Sequence, residues 1–246
     1  MLILCAFWAC FPGAVRAQDY MQGDLANEPL VDVSKVAPAI VIDLRYATDR
    51  NITGHPIYPA GMKCLLRKGV AGRLKSAETI LELAGYRLKI WDAYRPSHAQ
   101  KILWALVQNP EVVADPNKGG SRHSWGVAVD VTLVDLDGKD VPMPTDFDDF
   151  TDAAKSDYKG KDPVVAKNLN ILKNAMDVAG FEGMRDEWWH FSSTTWRSYG
   201  LVDDPGKLME KEAAPTATTR TASASPSPAS TPGASPAPQD PRAPQH

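Results

Sequence analysis

The chain has 246 residues, 27 basic against 30 acidic side chains and a formal net charge of -3. A balance so close to neutral excludes a broad cationic footprint for nucleic acid and favours a small substrate. Both ends read as non-globular, which leaves roughly residues 25–210 to bury a core, about one domain's worth.

Leu2 to Val15 is apolar and runs into Val15-Arg16-Ala17, the small-x-small pattern that export peptidases cut. Residues 1–17 are therefore expected to be a signal peptide, with Gln18 opening an exported chain, periplasmic or secreted. No Lys or Arg precedes the apolar run, so an N-terminal anchor is the alternative, although the segment falls short of the ~20 residues a membrane span needs. No stable membrane insertion is expected. Cys5 and Cys10 lie in this segment, and its removal leaves Cys64 with no intrachain partner. A fold outside the cytoplasm then depends on its core or on a metal.

In chain order, Val70, Leu74, Ala77, Leu81 and Ala84 follow helical steps, and Gly85 is a C-terminal stop. Tyr86 to Trp91 alternates, with Leu88 and Ile90 on one side, and predicts a strand that ends in the loop Asp92-Ala93-Tyr94-Arg95-Pro96. Ser97 is expected to cap a second helix through Ile102, Leu103 and Leu106 that fades near Asn109-Pro110. Residues 127–134 alternate as a strand, Val127, Val129, Val131 and Leu133 on one face and Ala128, Asp130 and Thr132 on the other. A third helix has Asp162 as N-cap, Pro163 at its first position, Val165, Leu169, Leu172, Met176 and Ala179 as its stripe, and Gly180 at its close. Glu187 to Phe191 is aromatic-rich and strand-like. Helices and strands are interleaved with too few helical crossovers for a doubly wound fold. The expectation is α+β, a mainly antiparallel central sheet flanked by helices, over a domain of residues 18–212. Residues 213–246, almost entirely Pro, Ala, Ser and Thr, should be a disordered tail.

Two stretches carry candidate chemistry. Ser121-Arg122-His123-Ser124-Trp125-Gly126-Val127-Ala128-Val129-Asp130 offers an imidazole in a loop, a Gly that frees the backbone and a carboxylate on the next strand, both ligand types that zinc takes. Taken alone, a hydrogen-bonded surface pair explains them as well. Glu187-Trp188-Trp189-His190 adds a second imidazole, an acid able to act as general base, and an indole pair that excludes bulk water. Its plain alternative is a strand with core aromatics and solvated Glu and His. On an ideal strand Glu187 and His190 face opposite ways, so a shared site requires a bulge or twist. Together the stretches make a His, Asp, His set with an open fourth position, the form of a catalytic zinc site. Arg95, set by Pro96 at a strand end, is either a structural ion pair or a donor to charge developing on a substrate oxygen, worth about 3 to 4 kcal/mol. His55, His98 and His246 suit ordinary solvated roles.

Four ordered motifs carry a family resemblance: Asp43-Leu44-Arg45-Tyr46-Ala47-Thr48 with Asn51-Ile52-Thr53-Gly54, Trp91 to Pro96, Ser121 to Asp130, and Glu187 to His190. Over about residues 40–195 the chain resembles the zinc D-alanyl-D-alanine dipeptidases, which include the vancomycin-resistance dipeptidases, within the D,D-peptidase fold shared by hedgehog signalling domains. The resemblance implies one zinc ion per chain on His123, Asp130 and His190, Glu187 as catalytic base and acid, and Arg95 as transition-state stabiliser. It further implies a small D,D-dipeptide substrate whose amine meets Asp148, with Ser121 and Tyr46 on the substrate side. A solvated acid, a loop hydroxyl and a core phenol are the alternatives for those three. Members commonly carry Arg where this chain has Trp125, which bears on substrate selectivity. Two rival functions stand beside the dipeptidase: a peptidoglycan D,D-carboxypeptidase or endopeptidase, and a non-catalytic zinc module that recognises cell-wall peptides.

Overall fold

The alternating segments around Leu88 and Val131 become neighbouring strands in the computed structural model, which describes residues 25–202 apart from Glu111, together with Pro205. The expected signal peptide, the C-terminal tail and His246 lie outside the described residues. In chain order the elements are β1 (Leu30–Asp32), α1 (Val33–Val36), β2 (Val41–Ile42), β3 (Leu65–Arg67), α2 (Lys68–Leu83), β4 (Tyr86–Asp92) and α3 (Ser97–Val107). They are followed by β5 (Ala128–Asp135), α4 (Pro163–Val178), β6 (Phe181–Gly183) and β7 (His190–Ser193). Five strands form one sheet in the order β2-β4-β5-β7-β6, antiparallel except where β2 runs parallel to β4. β1 and β3 form a separate antiparallel pair. The fold is α+β with a mainly antiparallel central sheet.

The two faces of this sheet have different work. Cross-strand pairs Leu88↔Leu133 and Ile90↔Val131 share one face, and the helical stripes Val70, Leu74, Ala77, Leu81 and Leu169, Leu172, Met176 are buried in the same core. Each large aliphatic side chain removed from water here contributes about 1.5–3 kcal/mol before entropy is counted. Asp130 and Thr132 project to the opposite face, and both are buried as well. No helix among the described residues is long and apolar enough to cross a membrane.

Local chemistry sets the element ends. Asp162 accepts from Val164 N–H at 2.8 Å, Pro163 begins α4, and Gly180 follows with φ 86°, as the spacing predicts. Ser97 differs from expectation: it is the first helical residue, and Pro96 holds the cap position with extended backbone and no side-chain bond. The ring's fixed φ of -59° suits that position. The strand expected from Glu187 also starts later, at His190. Glu187 to Trp189 instead forms a turn closed by His190 N–H donating to Glu187 O at 3.3 Å.

Arg67 joins three distant segments. Fully buried, it donates to the carbonyls of Ala26 (3.0 Å), Glu28 (2.6 Å), Trp125 (3.0 Å) and Gly200 (3.1 Å). A guanidinium whose donors are matched in this way tolerates burial that an unpaired one would not.

Glu78 on α2 accepts the Leu88 N–H at 2.7 Å, while its second carboxyl oxygen is buried with no partner. Burial pushes this carboxyl up to about 7. An acid that binds its proton more tightly folded than unfolded contributes stability that is full below the unfolded value, about 4.3. That stability is lost as pH rises through about 7. Denaturant midpoints of the protein should therefore fall between pH 5 and 8 more steeply than those of Glu78→Gln; parallel pH profiles would refute this role.

Candidate metal centre and substrate cavity

The Ser121 to Gly126 loop holds its imidazole by local bonds. Ser121 Oγ accepts the His123 N–H at 3.2 Å and caps a 3-10 helix, Arg122–Trp125, which Gly126 closes at φ 73°. A Cβ on Gly126 would stand 2.8 Å from Leu30 Cδ2, so both conformation and space demand glycine. His123 is buried, and its Nδ1 lies 2.8 Å from the Ala93 carbonyl. A proton on Nδ1 satisfies that carbonyl and leaves the Nε2 lone pair facing inward.

Sheet register supplies the partners. Asp130 on β5 lies opposite Asp92 on β4 and opposite His190 on β7. His190 Nδ1 is 3.0 Å from Asp130 Oδ1, His123 Nε2 is 3.3 Å from the same oxygen, and the two ring nitrogens are 3.1 Å apart. Ser192 Oγ, 3.1 Å from His190 Nε2, holds the outer side of that ring. Among the described residues, His123, Asp130 and His190 form the one group with metal-ligand donors gathered in this way.

The donor set fits zinc. Tetrahedral bonds of about 2.0–2.1 Å place ligand atoms about 3.3 Å apart, close to the separations of 3.0, 3.1 and 3.3 Å seen here. Each imidazole is tied outward through its other nitrogen, the arrangement that orients metal-binding histidines. Burial alone would raise the Asp130 carboxyl, but His123 and His190 beside it hold it well below the usual carboxylate range. Burial opposes a charge on His123, yet Asp130 and Asp92 outweigh it and raise the ring's affinity for a proton. The negative charge of Asp130 and Asp92 that raises this proton affinity also favours a cation at the same place.

Glu187 reaches this group because of the turn. One turn brings residues i and i+3 to the same side, and Glu187 Oε2 stands 3.8 Å from His190 Nδ1. No bulge in the strand is needed. Burial pushes the Glu187 carboxyl up to about 7, with Asp130 and Asp148 adding to the effect and His190 and Arg95 opposing it. Trp188 and Trp189 behind it are 1% exposed and pack edge to face at 5.6 Å, with Trp91 at 5.6 Å from Trp188. Water is thereby excluded from one wall.

Arg95 is buried and its charge is shared. Nε and Nη2 bond Asp92 at 2.9 and 2.8 Å, Nη1 donates to Gln100 Oε1 at 3.0 Å, and Nη2 lies 3.7 Å from Asp130 Oδ2. Asp92 also accepts from the Tyr58 hydroxyl and from the Ala93 N–H at 2.8 Å. These partners were not singled out from sequence. An acid on a buried strand is a signal for Asp92, whereas nothing in local sequence marks Tyr58 or Ser192.

Tyr46 joins the two ends of the site. Its ring lies 4.9 Å from the Arg95 guanidinium, and its hydroxyl donates to Asp148 at 3.0 Å. Asp148 also accepts the Ile52 N–H at 3.0 Å and has left-handed backbone, φ 58°. Burial pushes its carboxyl up to about 6 against those two bonds. Tyr46, Arg95, Ser121, Asp148, Glu187 and the three metal-ligand candidates all line one cavity of about 490 Å³. Trp125 is not part of that lining; its Nε1 donates to Gly119 O at 2.9 Å and its ring packs at 5.8 Å from Trp196. His55 and His98 are exposed, outside the group.

Residues 26–204 match the D-ala-D-ala dipeptidase family, Peptidase M15. The D-alanyl-D-alanine dipeptidase of Escherichia coli (strain K12) is 38% identical over 175 residues, covering 71% of this chain and 90% of that protein. The enzyme of the same name from Enterococcus faecalis (strain ATCC 700802 / V583) is 32% identical over 182 residues, covering 66% and 86%. A solved structure of the LdcB LD-carboxypeptidase aligns with a TM-score of 0.37 at 17% identity, over 62% of this chain and 67% of that one. With the match spanning the whole of the folded region in which the cavity is built, the chain belongs to the D-ala-D-ala dipeptidase family, Peptidase M15.

Proposed function

We propose that this protein is a zinc metallopeptidase that hydrolyses the dipeptide D-alanyl-D-alanine to two D-alanines. The observation that carries the reading is the convergence of His123, Asp130 and His190 on one point, with Glu187 beside it and Asp148 across the same cavity. His123, Asp130 and His190 would hold one zinc ion, which supplies a Lewis acid for the carbonyl and lowers the pKa of a bound water toward about 7.

The chain's own side chains do the rest. Asp148, held by Tyr46 and Ile52, receives the substrate's ammonium group. Glu187 takes the proton from the attacking water and returns it to the leaving D-alanine nitrogen, so one carboxylate serves both halves of the reaction. Its raised proton affinity, about 7, suits both roles near neutral pH. Arg95, fixed by Asp92 and Gln100, faces the charge that develops on the carbonyl oxygen. Ser121 stands on the substrate side of the metal loop. The apolar leader and its small-x-small end support export of the domain.

Removing metal tests the centre directly. Chelation should lower the melting temperature and zinc should restore it, by about 4 kcal/mol of stability when free zinc is ~1,000-fold above its Kd. His190→Ala should abolish the zinc-dependent part of the shift; an equal shift in that variant counts against the ligand set. Glu187→Gln should retain zinc while kcat falls about 10²- to 10⁴-fold, read from metal content and turnover together. Undiminished turnover rejects Glu187 as the base. For Asp148, N-acetyl-D-Ala-D-Ala should resist cleavage, since it carries no ammonium group. Efficient cleavage of the acetylated substrate would instead support a carboxypeptidase acting on longer peptides.

A further inference from the structure

A zwitterionic dipeptide has two charged ends, and the dipeptidase reading assigns a partner only to its amine. Among the described residues lining the cavity there are three cationic side chains, Arg95, Arg122 and Arg185. Arg95 is held in place by Asp92 and Gln100, and its remaining donors are already assigned to the carbonyl oxygen. Arg185 is exposed, and a flexible arginine loses up to about 2 kcal/mol of rotamer freedom when a ligand immobilises it.

Arg122 is different because it is held before any ligand arrives. Its Nη1 bonds Glu182 Oε1 at 2.9 Å, and its guanidinium stacks on the Trp196 ring at 4.0 Å. Glu182 Oε1 also accepts from Trp196 Nε1 at 2.9 Å, and Trp125 packs against Trp196 at 5.8 Å. Stacking and ion pair together fix the plane of the fork, while Nη2 and Nε are not engaged by Glu182. The residue immediately precedes His123, so the rigid 3-10 turn that positions a metal-ligand candidate positions this cation too. Its side chain is 37% exposed, open enough to meet a ligand and sheltered enough to gain from the pairing. A pre-set guanidinium binds a carboxylate with two parallel bonds at small entropic cost.

We propose that Arg122, set by Glu182 and Trp196, recognises the free α-carboxylate of the substrate's C-terminal residue and selects dipeptides that end there. This rests on the dipeptidase reading, and two separate measurements keep the two apart. Binding of D-Ala-D-Ala and of its C-terminal amide is measured by calorimetry on the zinc-loaded full chain carrying Glu187→Gln, with and without Arg122→Gln or Arg185→Gln. The Glu187→Gln parent should prefer the free acid. Arg122→Gln should weaken the acid about ten- to a hundredfold, the scale of a charge-assisted hydrogen bond, and leave the amide within about threefold of the parent. Arg122→Lys should restore part of the preference, and unchanged melting temperature and zinc content exclude a folding defect. Equal weakening of both ligands, no preference in the parent, or loss of preference with Arg185→Gln in place of Arg122→Gln overturns the assignment. Turnover of D-Ala-D-Ala is read separately on the chain with Glu187 intact; its absence, with the acid preference present, removes the dipeptidase reading alone.

Discussion

The pairing register of three strands is the constraint on which the site depends. Asp130 on the central strand lies opposite Asp92 on β4 and His190 on β7, so three polar side chains form a row across one face of the sheet. The β4 register shifts between Ile90 and Asp92, which brings Asp92 into line with Asp130. A slip of one residue would turn Asp130 into the helix-covered core and bring valines to the cavity. The apolar pairs Leu88↔Leu133 and Ile90↔Val131 resist such a slip, because it would expose them. Packing on one face thus fixes chemistry on the other.

That chemistry is a concentration of buried charge. Asp92, Arg95, His123 and Asp130 are all buried, and an uncompensated ion in such a place costs several kcal/mol. Asp92 and Arg95 compensate one another, with Tyr58, Ala93 and Gln100 filling the remaining positions. Asp130 has no comparable permanent cation: Arg95 is 3.7 Å away and shorter bonds hold it to Asp92. With Glu187 and Asp148 in the same cavity, the unmatched charge is negative and a cation relieves it. Metal affinity and fold stability are then two expressions of one imbalance.

Much of this was legible in residue order, because it follows from local periodicity. The stripe from Val70 to Leu81, the strand carrying Asp130 and the capped helix beginning at Pro163 appear where their spacing places them. The candidate ligands were legible as residue types, and the structure gathers His123, Asp130 and His190. Beyond the site that the family resemblance implied, contacts between distant segments could not be read. Tyr58 reaches Asp92 across 34 positions, and Asp148 meets Tyr46 across 102. Such pairs leave no period in the chain. The Glu187 to His190 turn was hidden for another reason: Trp188 and Trp189 have strong strand preference, and tertiary burial of both indoles beside Trp91 and Phe147 overrides it.

Charge at the cavity wall, more than its size, accounts for a substrate of only two residues in the proposed reaction. A space of about 490 Å³ falls within the range that accepts drug-sized molecules, so volume alone admits longer peptides. Asp148 is a different kind of barrier. Its left-handed backbone is uncommon for a residue with a side chain, and it is held there by the Ile52 N–H and the Tyr46 hydroxyl, which together stabilise the ionised form against burial. An ammonium group gains from that carboxylate, whereas an amide would bury it without a matching charge. Tyr46 then carries the same selection inward, since its ring rests against the Arg95 guanidinium at 4.9 Å. A ligand that displaced Asp148 would disturb Tyr46, and through it the side chain assigned to the developing oxyanion. In the proposed reaction, Tyr46 is the side chain that touches both the carboxylate assigned to the substrate's amine and the guanidinium assigned to the reacting carbonyl.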